Sequence, residues 1–330
     1  MTSPAIHLPT NPLARFQEVF QAIRIDARWW SSFTCLRYAA LSLTTMEGNP
    51  ANLARQLWST SEKLRRGGGW ASPLQSSIRF LVAASLMRHS RSPDRFFNEV
   101  ERVVAFFRES KLPRGRAHEM LATIVLQQQA LAADYSQVRR EQVRRLHGVF
   151  KQMKADHPWL TSPDDYLCAA LLAGGKDSPK QISSRVEALY QGLRQYRFSK
   201  GNALQTVSHM LYLHPSPDHE VLRRFQNLYQ AFKERKLWMC ESDYDEIACL
   251  TYLSQNTPQI VETVLKHREK IKAMKPRIGA NEHFSLACNT AFLELIGDAS
   301  DVHWIVDLVG LIQAKSVLAA QQAAAVSAAT

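Results

Sequence analysis

Apolar residues recur along this 330-residue chain at helical spacing, in segments of two kinds. The first kind is amphipathic. Phe96, Val100, Val103 and Phe107 step by four, three and four. Val186, Leu189 and Leu193 step by three and four, as do Phe225, Leu228 and Phe232, while Ile260, Val264 and Ile271 share one face. Such spacing lays an apolar stripe along one side of a helix and leaves the other side polar. The second kind is more apolar and rich in small residues: CLRYAALSL, IRFLVAASL, MLATIVL, DYLCAALLA, LQTVSHMLYL, EIACLTYL and FSLACNTAFL. Small side chains let helices approach closely, which assigns these segments to an inner layer. No segment alternates with period two between turn signals, so no strand is expected.

The two kinds alternate with a beat. Leu64, Phe107, Phe150, Leu193, Phe232 and Ile271 each precede a basic, polar turn, at spacings of 43, 43, 43, 39 and 39. A second marker keeps the same time. Asn49-Pro50, Ser92-Pro93, Ser178-Pro179, Ser216-Pro217 and Thr257-Pro258 each pair a capping residue with proline, which opens a helix because the first turn leaves its N–H groups unmatched. Ser136 stands where the skipped unit would begin, and Ser300-Asp301 would open a last one. The expected fold is all-α: tandem helical hairpins stacked as an α-solenoid or superhelical array, either a curved right-handed row or a closed-up helical barrel. Residues 1–30 are expected to form an N-terminal segment and capping helix. Residues 31–314 would hold about seven hairpins, and 315–330 an Ala-rich tail.

Composition changes this picture little, and charge changes it more. No basic start leads into an apolar stretch, and no apolar run reaches the ~18 residues a membrane helix needs, so neither a signal peptide nor a membrane partner is expected. Five cysteines without a CxxC pair read as reduced core residues of a cytoplasmic protein. The net charge is +11, and all of it lies early. Residues 1–160 carry 23 Lys and Arg against 12 Asp and Glu, whereas residues 161–330 carry 18 of each. Arg65, Arg66, Arg114, Arg116, Arg139, Arg140, Arg144 and Arg145 are the densest part of that excess. They are a candidate polyanion surface or a solvated basic face.

Two polar segments interrupt the apolar pattern. The first is His157-Pro158-Trp159-Leu160-Thr161-Ser162-Pro163-Asp164-Asp165-Tyr166. Capping accounts for most of it: Ser162 as N-cap, Pro163 behind it, and Asp164 and Asp165 on the helix dipole. His157 is left over. In the second, Gln205, Ser208 and His209 break an inner helix, and Gln205 shares a face with each of the other two. If the segments met, His157, Asp165, Gln205 and His209 could bind a metal or move a proton. No HExxH, Cys/His finger, GxSxG or P-loop spacing accompanies them, so no metal and no cofactor is assigned.

At HPWLTSPDDYLCAALLAGG and GNALQTVSHMLYLHP the chain resembles the bacterial family catalogued as domain of unknown function 4003. The resemblance runs from the leading helix to the last hairpin and is most specific across residues 157–214. It implies a bacterial cytosolic protein and points to the same two polar segments, without a catalytic assignment. Three functional readings stand. The first is a scaffold that binds a protein or peptide along the inner-helix starts and inter-hairpin turns. The second is an enzyme, small-molecule or metal binder using His157, Thr161, Asp164, Asp165, Gln205, Ser208 and His209. The third is a nucleic-acid binder using the early arginines. Oligomeric state is left open.

Overall fold

A computed structural model describes residues 7–27, 32–69 and 72–297, together with Gly310, Ile312 and Lys315. Among them are fourteen α-helices and no strand: α1 (Pro12–Ile25), α2 (Phe33–Leu43), α3 (Pro50–Gly67), α4 (Ile78–Arg88), α5 (Pro93–Glu109), α6 (Ala117–Ala132), α7 (Arg140–Asp156), α8 (Tyr166–Ala173), α9 (Pro179–Gln195), α10 (Asn202–Tyr212), α11 (Asp218–Glu234), α12 (Tyr244–Leu250), α13 (Thr257–Lys272) and α14 (Ala280–Leu295). The odd-numbered helices are the amphipathic ones; α7 buries only Val143, Leu146, Val149, Phe150 and Met153 along one stripe. The even-numbered helices are buried on most of their surface, as in α6 and α8. No helix among the described residues is long and apolar enough to cross a membrane.

The chain divides into two compact units. A central unit comprises residues 59–188 and 311–330, and a flanking unit comprises residues 1–58 and 189–310. In the central unit α5 packs on α6 and α7 on α8, while α5 lies along α7 and α6 along α8. Like helices thus stand side by side, in an outer and an inner layer. The flanking unit repeats the arrangement with α10 to α14. There α1 and α2 form a further hairpin, and both pack against α14.

Helix ends explain the sequence beat. Five turns between helices hold a non-glycine residue in the left-handed region: Ser90, Lys111, Asp134, Arg197 and Lys236. In each, the next N–H reaches back to a carbonyl in the last turn of the helix: Arg91 to Leu86, Leu112 to Phe107, Tyr135 to Ala130, Phe198 to Leu193 and Leu237 to Phe232. This is the Schellman stop. Phe107, Leu193 and Phe232, three of the periodic anchors, are the residues whose carbonyls are recaptured.

The capping prolines mostly stand as expected. Ser92 Oγ accepts from Arg95 N at 3.3 Å, and Asn49 Oδ1 accepts from Ala51 N at 2.8 Å. Ser178 Oγ accepts from Gln181 N at 3.3 Å. Three positions differ. At α13 the cap is Asn256, one residue before Thr257, accepting from Gln259 N at 3.0 Å. Pro217 itself occupies the cap of α11 and offers no side-chain acceptor. Ser136 precedes α7 without capping it; Gln142 instead reaches back to Arg139 N at 2.9 Å. α1 opens with a cap of the same kind, Asn11 accepting from Ala14 N ahead of Pro12. Ser300-Asp301 lies outside the described residues.

A periodic arginine ties the layers. Arg15 of α1 donates to Met46 O at 3.2 Å and Gly48 O at 2.5 Å. Arg102 of α5 donates to Val138 O at 2.8 Å. Arg145 of α7 donates to Ala173 O and Gly175 O, both at 2.6 Å. Arg224 of α11 donates to Gln255 O at 2.6 Å and to Leu253 O. Each reaches carbonyls about one hairpin further on, at the end of an inner helix or in the turn that follows it, where the chain offers acceptors without intrahelical donors. Charge assistance makes such bonds the stronger kind. Arg145, expected within a polyanion surface, is therefore spent on backbone. Arg145→Met should lower stability by about 2 kcal/mol, because the partly buried Ala173 carbonyl and the exposed Gly175 carbonyl both lose a charged donor. Exposed Arg144→Gln should stay within about 0.5 kcal/mol. Urea midpoints of the two variants compare them directly, and equal midpoints would contradict the clamp.

Candidate functional site

The loop between α7 and α8 of the central unit is fastened at almost every polar atom. His157 Nε2 meets Glu187 Oε2 of α9 at 2.8 Å. Thr161 Oγ1 donates to Met153 O at 3.0 Å, and Lys154 Nζ donates to Thr161 O at 2.7 Å and also to Pro158 O. Ser162 and Asp165 exchange a capping box: Ser162 Oγ accepts from Asp164 N at 3.2 Å, and Ser162 N donates to Asp165 Oδ2 at 3.1 Å. Just beyond, Tyr166 packs on Phe107 and Phe150 and donates to Pro113 O at 2.7 Å. Gly115 is required opposite it, since a Cβ there would come within 2.9 Å of the Tyr166 ring.

Beneath the loop lies a buried polar centre. Lys315 Nζ donates to Asp165 Oδ1 at 3.0 Å and lies 3.7 Å from Cys168 Sγ. His118 Nε2 is 2.9 Å from Asp164 Oδ1, and Glu119 accepts from Gly115 N at 2.8 Å and from Arg108. Burial opposes the Lys315 charge, but Cys168 and Asp165 outweigh it and raise its pKa. Burial lowers the His118 pKa against the pull of Asp164, so its imidazole is neutral near pH 7. Burial likewise pushes the Cys168 thiol up, away from the nucleophilic thiolate. A neutral imidazole beside a carboxylate can accept a proton; nothing further in the centre marks a nucleophile.

The second polar segment belongs to the flanking unit. Gln205, Ser208 and His209 are buried on α10, and Ser208 Oγ donates to Leu204 O at 2.9 Å. His157 and Asp165 fall in the central unit, Gln205 and His209 in the flanking one. Within the central unit, His157 and Asp165 serve different partners, Glu187 and Lys315. The flanking unit also buries polar contacts that the sequence did not reveal. Arg37 Nη1 of α2 pairs with Glu282 of α14 at 2.9 Å, and Tyr38 OH donates to Ser285 Oγ at 3.0 Å. Burial, with Glu246 nearby, raises the Tyr38 hydroxyl pKa far above its usual value. Among the described residues no group of three or more His, Cys, Asp or Glu is placed to hold a metal ion.

The arginines divide. Arg65 and Arg66 both pair with Glu62, at 2.7 and 2.8 Å. Arg139 stacks on Tyr135 at 3.8 Å, and Arg140 pairs with Glu109 at 3.1 Å. Arg114, Arg116 and Arg144 are exposed, and Arg116 holds a left-handed backbone ahead of α6. Two tryptophans went unnoticed in the sequence. Trp159 is 96% exposed on the fastened loop, and Trp238 is 90% exposed on the turn between α11 and α12. Exposure is a tertiary property, and only their position in turns hinted at it.

Two predictions test the centre. Lys315→Met strands a buried carboxylate and should cost about 3–5 kcal/mol. Adding Asp165→Asn should restore part of that loss in chemical denaturation, and no recovery would mean the pair is not the reason. The His118 pKa is lowered in the fold, so below its ordinary value of 6.5 the unfolded chain takes up a proton that the buried ring refuses. Its contribution is therefore full above pH 6.5 and is lost as pH falls. The melting-temperature gap between wild type and His118→Asn should shrink on acidification; a constant gap would contradict the assignment.

No solved structure matches this chain. The "Uncharacterized protein YeaA" of Bacillus subtilis (strain 168) is 27% identical over 225 residues. That match covers 67% of this chain and 66% of the relative, so the chain spans just under two thirds of that relative's length. The family described as "Protein of unknown function (DUF4003)" matches residues 19–323. The chain, with its helical hairpins and its fastened loop before α8, belongs to that family.

Proposed function

We propose that the protein is a scaffold that binds a protein or peptide partner through tryptophans displayed on the turns leading from outer to inner helices. The observation that carries this reading is Trp159: a 96% exposed indole on a loop whose polar groups are nearly all tied down. An exposed Trp costs solubility, and Trp dominates the energetics of protein contacts. Burying one indole, about 150–250 Å² of mostly apolar surface, is worth roughly 4–6 kcal/mol before the costs of association. A loop already rigid pays less of those costs on binding.

Trp238 supports the same reading. It stands 79 residues after Trp159, two repeat lengths, in the corresponding turn of its own hairpin. That turn is also held, by a Cys240 N bond to Asp243 Oδ2 at 2.7 Å and an Arg235–Glu262 ion pair. Cytoplasmic placement accords with five cysteines, none in a disulfide. An enzyme or small-molecule reading has one supporting observation, the neutral His118 against half-exposed Asp164.

Photo-crosslinkers placed at 159 and, separately, at 238 in living cells, read by mass spectrometry, should each capture a discrete protein partner. A crosslinker at exposed Glu141 should not. Trp159→Ala and Trp238→Ala should each weaken the complex formed at its own turn at least tenfold while leaving stability within about 0.5 kcal/mol. Adducts no different from those at position 141 would sink the proposal. Loss of activity on a small substrate in Asp164→Asn, with the tryptophan variants unaffected, would favour the enzyme instead.

A further inference from the structure

The outer layer of the central unit contains a depression of about 320 Å³ between the end of α5 and the first half of α7. Phe106, Glu109, Ser110, Lys111, Arg140, Arg144 and His147 line it. Three cations face one carboxylate there. Glu109 is engaged by Arg140, while Lys111 and Arg144 have no acidic partner among the described residues. The Arg140 guanidinium, although largely exposed, lies 5.0 Å from the centre of the Phe106 ring, an apolar surface beside the cations. The Lys111 backbone is set by the α5 stop, where it is the left-handed residue, so its exposed side chain starts from a defined position.

This arrangement costs free energy in the empty protein. Arg140 stands in the first turn of α7 and Arg139 caps it, where the helix dipole disfavours positive charge. Like charges gathered around one concavity repel, and a bound anion removes both penalties. The volume sits at the small end of ligand pockets and suits one small molecule. Guanidinium forks match phosphate oxygens in geometry, and an ammonium adds a point charge.

We propose that this depression binds a small phosphate ester as a dianion, its phosphate held by Lys111, Arg140 and Arg144 and its carbon skeleton lying against Phe106. This site is independent of the tryptophan turns and of the partner-binding reading.

Isothermal titration calorimetry on the full chain tests it, with ribose 5-phosphate, inorganic phosphate, ribose and a single-stranded oligonucleotide as probes. Ribose 5-phosphate should bind more tightly than inorganic phosphate, and ribose should not bind. Arg144→Gln and Lys111→Gln, both at exposed positions, should each weaken ribose 5-phosphate about tenfold, the loss of one charge-assisted contact. Arg65→Gln, outside the pocket and engaged by Glu62, should leave affinity unchanged. Absence of binding at roughly 10 mM ribose 5-phosphate overturns the proposal. So does equal affinity in Arg144→Gln, or an oligonucleotide that binds far more tightly through the same residues, which would make nucleic acid the occupant.

Discussion

Every helix ends with backbone groups its own turns cannot satisfy, and a chain of short hairpins meets that constraint at both ends of both helices in each hairpin. Here the answers are specific. An outer helix opens on a capping side chain, usually followed by proline. At five turns a helix closes on a left-handed residue whose neighbour recaptures a carbonyl. Carbonyls at the far end of the inner helix or the turn beyond it are taken by an arginine from an outer helix, as at Arg15, Arg145 and Arg224. Apolar stripes supply the driving force for stacking, but these ends decide where each helix starts and stops. They therefore decide which residues lie in turns, where a partner can reach them.

The loop from His157 to Asp165 shows how firmly such a turn can be held. A loop whose only task was to reverse the chain would not need a carboxylate bound to a lysine 150 residues away. Nor would it need an imidazole anchored on α9. Those contacts hold one conformation, and that conformation presents Trp159 to solvent. Rigidity under an exposed aromatic is what lowers the cost of a later association. On the proposed reading the polar chemistry of the segment and the display of Trp159 are not rivals, since the same contacts that use up the polar groups hold the loop.

How much of this was legible follows from the range of each interaction. Helical periodicity, N-caps and helix stops are local, so the all-α stacking and most helix starts could be read from the chain. Where the cap moved, as from Thr257 to Asn256, neighbouring residues competed for one role. The site was harder. Lys315 has no local reason to be remembered beside Asp165. Arg145 looked like a member of a basic cluster because its partners are backbone carbonyls, which carry no side-chain signature. Trp159 sat inside a segment singled out for its acids and its histidine, yet nothing local distinguishes an exposed indole from a buried one.

Helical hairpins stacked in layers raise a problem that apolar packing cannot solve. If every hairpin offers a similar greasy face, many pairings are nearly as good as the native one, and non-directional attraction does not choose among them. A buried charge does choose, since it is tolerable only against its own partner. In the flanking unit Arg37 meets Glu282 across 245 residues of chain, where α2 packs on α14. In the central unit Lys315 meets Asp165 across 150. Both pairs join segments that sequence order alone would never bring together, and both are at least partly buried, where a mismatched hairpin would leave a charge stranded. The polar residues of the inner layer are thus placed where registration, not adhesion, is the scarce quantity.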